Sequence, residues 1–206
     1  MTNYIILILL WLLFYALHSA MASSQVKTWI AVAFPAFVKP YRIFYNMVSL
    51  LLFGVAYAYQ MSMPDTLLFH SNWVRYAGLV LVVVSIILMY ASFKNYDLKE
   101  FLGVSQWQSN SFNAAISNQL QIHGLNQYVR HPLYTACYLF FGAYFLYKPY
   151  VGSAIFTLMG FIYLYVGAKW EEQKLVNQFG DAYLFYQKQV PMFLPWLRSH
   201  QVAKKN

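Results

Sequence analysis

The chain has 206 residues, 60% of them apolar and only 10% charged, against roughly 25% charged in an ordinary soluble domain. So little charge excludes a globule that covers itself with a charged surface, and makes the number of bilayer crossings the first question. The net charge is +8, but the basic residues sit in the breaks between apolar runs, where anionic lipid headgroups meet them, which favours lipid over nucleic acid as the partner.

A hydrocarbon core of about 30 Å takes roughly 20 mostly apolar helical residues. Windows of that kind occupy residues 3–22, 43–63 and 74–93. Two more, 132–147 and 151–170, are separated only by Lys148, Pro149 and Tyr150, which suits a tight helical hairpin. The expected fold is therefore all-α: a polytopic integral membrane protein of about five spans, forming one membrane domain over residues 1–206 and ending in a cytosolic helical segment. The first run ends in Ala20-Met21-Ala22, which imitates a signal-peptidase site. No Lys or Arg precedes it, however, and a signal peptide wants a positive start.

With five spans, 12 of the 14 basic residues, among them Lys27, Arg42, Arg130 and Lys174, fall on one side, and only Arg75 and Lys148 on the other. The positive-inside rule then puts the N-terminus outside and the C-terminus in the cytoplasm. Two long segments, 94–131 and 171–198, face the cytosol in this arrangement, and function is to be sought there. The second starts as a helix, because Trp170, Leu175 and Phe179 form an apolar edge at roughly helical spacing. Gly180 is placed to end or bend it; Tyr183 and Tyr186 resume the spacing, and Pro191 and Pro195 stop it.

The densest polar cluster beside an apolar run is His123-Gly124-Leu125-Asn126-Gln127-Tyr128-Val129-Arg130-His131-Pro132-Leu133-Tyr134. Pro132 suits the first turn of the fourth span. Arg130 and His131 then sit at the N-terminal end of that helix, where free N–H groups favour a carboxylate or phosphate. A plainer reading makes Arg130 an interface anchor and His131 a cap. Glu171-Glu172 follow Trp170 where the fifth span leaves the membrane, and adjacent carboxylates there are costly unless a cation or hydrogen-bond donor meets them. A solvated first turn beyond the span is the simpler alternative. The two hairpin helices are similar in length, so both ends return to one face and a site of mixed charge can form.

Other residues have simpler readings. His18 lies within the first span, as a functional group or as a neutral histidine bonded to a neighbouring helix. The sole cysteine, Cys137, sits in an apolar run with no disulfide partner, and the five histidines are scattered, so no metal is expected. Tyrosines and tryptophans gather near span ends as interface anchors.

In order, Arg130-His131-Pro132-Leu133-Tyr134, a helical hairpin, Glu171-Glu172, Phe179-Gly180, Tyr183, Tyr186, Val190-Pro191 and Pro195 resemble the isoprenylcysteine carboxyl methyltransferase and phospholipid methyltransferase superfamily. The resemblance covers residues 123–196. Upstream, His18-Ser19, Tyr41-Arg42, Tyr45-Asn46, Tyr96-Asp97-Leu98 and Phe101-Leu102-Gly103 resemble, more loosely, the branch holding methanethiol S-methyltransferases and NnrU-like proteins. Asn126 departs from a usual tyrosine, and Ala136 from a frequent glycine.

The resemblance implies a methyltransferase using S-adenosylmethionine, located in a bacterial inner membrane. It implies a cofactor site of His123, Gly124, Tyr128, Arg130, His131, Pro132, Tyr134, Glu171 and Glu172, with Arg130 and His131 catalytic. Arg130 or His131 can hold the cofactor carboxylate, Glu171 or Glu172 the ribose hydroxyls or ammonium, and Tyr134, Tyr128 or Trp170 can flank adenine. No Gly-x-Gly-x-x-Gly turn follows a strand, so a soluble dinucleotide-type fold is excluded.

The acceptor, small and apolar or lipid-attached, is expected from the bilayer: a small thiol by the upstream motifs, with an isoprenylated cysteine carboxylate or a lipid amine as alternatives. A thiol needs deprotonation, which Arg130 favours, with His131 or His123 as proton acceptor. A non-enzymatic membrane accessory protein of the same fold is the reading that Asn126 and Ala136 leave open.

Overall fold

A computed structural model describes residues 1–93, 102–109 and 120–195. They form α1 (Thr2–Ala22), α2 (Ser24–Ala33), a 3-10 turn (Pro35–Phe37), α3 (Tyr41–Ser62), α4 (Asn72–Phe93), α5 (Val104–Ser109), a second 3-10 turn (Gly124–Gln127), α6 (Pro132–Tyr147), α7 (Val151–Phe179) and α8 (Asp181–Gln189). Among the described residues the only β-type pairing is an isolated bridge, Leu67 to Tyr150, so the fold is all-α.

Four helices, α1, α3, α4 and α7, are long and apolar enough to cross a membrane. Their outward faces are greasy: on α1, Ile5 and Leu9 are each 58% exposed. Such faces are untenable in water over this area and natural against lipid, which makes the chain an integral membrane protein. With 16 residues, α6 reaches about 24 Å, less than the hydrocarbon core. With 29 residues, α7 reaches about 43 Å, so it carries Glu171 and Glu172 on the same rigid rod as its apolar run.

The chain divides into two compact units. The first holds Met1–His70, Pro149–Phe156 and the described part of Asn95–Ile116. Its centre is Trp11, fully buried among the rings of Phe14, Phe53 and Phe156, with its indole N–H donating to Gln60 Oε1 at 3.3 Å. His18 is satisfied from α3: Nδ1 lies 3.0 Å from Ser49 Oγ and Nε2 3.3 Å from the Tyr45 hydroxyl. The reading of a histidine bonded to a neighbouring helix therefore fits these contacts.

Asp65 accepts from Thr66 N at 2.8 Å, and from the Tyr4 hydroxyl and Gly152 N at 3.1 Å each. That places a carboxylate at the N-terminal end of α7, where the helix dipole favours it. A Cβ on Gly152 would lie 2.7 Å from Asp65 Oδ2, so the contact depends on the missing side chain.

The second unit holds Ser71–Lys94, Ser117–Lys148 and Thr157–Asn206, as far as they are described. Gly78, Ser85 and Ser92 are the buried residues of α4, seven apart and so on one helix face. Both serine hydroxyls bond back to their own helix, to Val82 O at 2.7 Å and Leu88 O at 2.8 Å. The face meets α6, on which Ala136 and Ala143, again seven apart, are buried. Small residues let two membrane helices touch backbone to backbone; at Gly78 an added Cβ would come within 2.5 Å of Tyr147 N.

Turn by turn, α6 then runs antiparallel to α7. Thr157 donates to Phe141 O at 3.0 Å, Tyr138 to Phe161 O at 2.9 Å, and Tyr134 lies over Gly167. The next step brings Arg130 and His131 to Glu171 and Glu172. Gly180, at φ +54°, ends α7 in a conformation that L side chains rarely adopt, as its position in the sequence leads one to expect. Beyond it, Tyr183, Tyr186 and Val190 bury themselves against Leu120, Leu175, Val176 and Phe179.

Candidate active site

Four of the residues expected at the site meet where α6 begins and α7 passes its apolar run. Glu172 Oε1 receives Arg130 Nε at 2.7 Å and Nη2 at 2.6 Å, and His131 Nε2 lies 3.3 Å from the same oxygen. Glu171 Oε2 is 3.8 Å from His131 Nδ1. The two glutamates therefore differ. The Glu172 side chain is 7% exposed and committed to Arg130, whereas that of Glu171 is 40% exposed and only loosely engaged.

Arg130 is committed further. Its Nη1 donates to Gln187 O at 3.0 Å and to Val190 O at 2.6 Å. These carbonyls belong to the C-terminal end of α8 and the residue after it, where backbone acceptors lack helical partners and a cation is favoured. The chain that follows runs back along the start of α6: Arg130 N donates to Pro191 O at 2.9 Å, His131 N to Met192 O at 3.2 Å, and Thr135 Oγ1 to Phe193 O at 2.9 Å. The N–H groups of Arg130 and His131 are thus used within the chain.

The His131 ring is buried and set edge-on to Tyr134, with centroids 5.4 Å apart, and beside Phe193. Pro132 is buried at the first helical position. His123, Gly124 and Tyr128 lie on or beside the exposed 3-10 turn, with Gly124 at φ +64°. That turn is held by the Tyr186 hydroxyl, which donates to Asn126 O at 2.6 Å. Any residue at 126 supplies this carbonyl, and the Asn126 side chain adds a hydrogen bond of its own to Tyr186. Ala136, two turns before Ala143 on α6, is fully buried.

Sequence reasoning took Tyr183 and Tyr186 for helical spacing and missed their burial beside the charges. Burial pushes the Tyr186 hydroxyl up to about 12, against the opposing effects of Arg130 and of a hydrogen bond from the Asn126 side chain. Tyr183 is also raised well above the usual tyrosine range, by burial first and by Glu172 next.

Between pH 10 and about 12 the unfolded chain releases the Tyr186 proton while the folded chain keeps it. Stability is fully present below that window and is lost as pH rises through it, by at most about 1.4 kcal/mol per pH unit. Melting temperature in detergent is expected to fall less steeply between pH 10 and 12 for Tyr186→Phe than for the wild type. Equal slopes would show that Tyr186 titrates normally.

Among the described residues no three His, Cys, Asp or Glu side chains gather as a metal ion would need. Of the upstream motifs, Tyr96-Asp97-Leu98 and Phe101 lie outside the described residues.

Comparison with known proteins fixes the lineage. The family model described as NnrU protein matches residues 6–190. The chain belongs to the NnrU protein family. Methanethiol S-methyltransferase 1 of Bradyrhizobium diazoefficiens is 31% identical over 205 residues, covering 95% of this chain and 68% of that one. Methanethiol S-methyltransferase of Pseudomonas deceptionensis is 30% identical over 203 residues, 93% of this chain and 72% of its own. A protein of the same name from Crocosphaera subtropica is 28% identical over 191 residues, 87% of this chain and 70% of its own. No solved structure matches. The NnrU match takes in both the upstream motifs and the Arg130 to Glu172 cluster, so the branch suggested by the sequence is the right one.

Proposed function

We propose that this NnrU-family member is an integral membrane methyltransferase that uses S-adenosylmethionine to methylate a small thiol. The observation that carries the proposal is the likeness to proteins named methanethiol S-methyltransferase over nearly the whole chain. The side chains at the cluster suit a zwitterionic, hydroxyl-bearing nucleoside: the half-open Glu171 carboxylate for an ammonium or ribose diol, the imidazole of His131, and a buried hydroxyl on Tyr183 with no partner among the described residues.

When bound, S-adenosylmethionine supplies a methyl group on a positively charged sulfur, and the protein's work is to align an acceptor with it and exclude water. Glu171 is the glutamate available to the ligand, because Glu172 is committed to Arg130 and His131. Arg130 braces α8 and the residues after it over the start of α6. His131 is the candidate base for the thiol proton, its ring held by Tyr134 and Phe193; His123 on the exposed turn is the other. Tyr128 and Trp170 are exposed aromatic faces for the adenine.

In the proposed topology the short α6 also crosses, as the fourth of five spans. The N-terminus is outside and the C-terminus cytoplasmic, an arrangement supported by the 12-to-2 division of basic residues. The cofactor then enters from the cytosol and the acceptor from the bilayer.

The test is methyl transfer by the purified protein in lipid nanodiscs, with labelled S-adenosylmethionine and three acceptors: methanethiol, a farnesyl-cysteine analogue and phosphatidylethanolamine. Label is expected in the thiol. Label in either of the others would reassign the acceptor. No transfer to any of them, with no heat of binding at millimolar S-adenosylmethionine, would reject the enzyme in favour of an accessory protein.

A further inference from the structure

Two tyrosines of α8 are buried side by side, ring centroids 5.8 Å apart, but their hydroxyls have different fates. Tyr186 donates to Asn126 O. Tyr183 is 1% exposed, and its hydroxyl has no hydrogen-bond partner among the described residues. An unpaired buried hydroxyl destabilises a fold, because nothing replaces the water it gave up, and native proteins keep few of them. For packing alone the ring suffices: a phenylalanine would make the same contacts with Tyr186 and Val190 without that loss.

The surroundings indicate what the hydroxyl awaits. Glu172, Arg130 and Glu171 all act on it electrostatically, so it belongs to the charged cluster and not to the apolar interior. Arg130 has Nε and Nη2 on Glu172 and Nη1 on two carbonyls, and so has little left for an incoming anionic group. A phenol can both donate and accept, and in the field of two carboxylates it keeps its proton. A ligand group arriving here breaks no existing bond of Tyr183. From the burial, the unpaired hydroxyl and the packing against Tyr186, we infer that the Tyr183 hydroxyl is a direct hydrogen-bonding contact for the zwitterionic amino-acid end of the methyl donor. The inference rests on the methyl-donor reading above.

The test is Tyr183→Phe in the full chain, measured by thermal melting without ligand and by calorimetric titration with two ligands. S-adenosylhomocysteine carries the amino-acid end; 5′-methylthioadenosine shares the adenine and ribose but lacks it. Ligand-free melting is expected to be unchanged or higher. Affinity for S-adenosylhomocysteine is expected to fall roughly tenfold, the worth of one hydrogen bond to a charged group, with 5′-methylthioadenosine unaffected. Unchanged affinity for S-adenosylhomocysteine, an equal loss for both ligands, or a lower ligand-free melting temperature would each overturn the assignment to Tyr183 alone. A wild-type chain that binds no S-adenosylhomocysteine would overturn the methyl-donor reading and this inference with it.

Discussion

Replacing Arg130 with lysine is expected to lower methyl transfer at least about a hundredfold, close to 3 kcal/mol in barrier terms, and to release α8. The guanidinium serves two directions at once: Nε and Nη2 close on Glu172 Oε1, while Nη1 spans Gln187 O and Val190 O. A lysine ammonium presents its donors from one point and cannot reach both sets. Whichever side it abandons leaves a liability, and the worse case is the Glu172 carboxylate, 7% exposed and deprived of its cation; losing one partner of a buried pair typically costs about 3–5 kcal/mol.

The effect should be local. Amide hydrogen exchange over 181–190 is expected to quicken while the α4 and α6 amides keep their protection, because the bonds lost are those that tie α8 down. Glu172→Ala should have a similar effect, and the double variant should be little worse than either single one, since the two side chains form one unit. Additive losses with α8 protection intact would mean that Arg130 acts on the ligand and not through the fold.

The meeting of the two charged corners was legible in the sequence because it depends on counting. Pro132 fixes where α6 starts, Lys148-Pro149-Tyr150 fixes where the chain turns, and α7 has no proline between Val151 and Phe179 to break it before the glutamates arrive. Helical geometry does the rest. What the sequence hid is the role of Arg130 as a brace: its acceptors at 187 and 190 are backbone carbonyls, which carry no side-chain signature. The unpartnered Tyr183 hydroxyl was hidden for a related reason, since spacing tells that a tyrosine faces inward but not what its oxygen finds there. The Asp65 contact joins residues far apart in the chain. The seam of Gly78, Ser85 and Ser92 did have a signal, the seven-residue repeat of small residues, which is easily overlooked inside a run read only for its hydropathy.

That seam sets up the sharpest contrast between two glycines of apparently similar setting. Gly78→Ala is expected to destabilise the protein by about 3 kcal/mol or more, at the top of the range for overpacked interiors, while Gly54→Ala should be neutral or stabilising by up to about 1 kcal/mol from helix propensity. On Gly78 a Cβ would meet Tyr147 N at 2.5 Å and Leu146 C at 2.8 Å; on Gly54 it would meet nothing within 4 Å among the described residues. The atoms opposing Gly78 are backbone, so no side chain can swing aside and α6 itself must move. Because α6 is a rigid rod with Tyr147 at one end and the Arg130–His131 corner at the other, displacement at the seam should reach the charged cluster, and activity should fall along with the melting temperature. Thermal melting and methyl transfer of the two variants side by side test this. If Gly78→Ala melts with Gly54→Ala, the two helices do not touch at that point, and the register that brings Arg130 to Glu172 would need another cause.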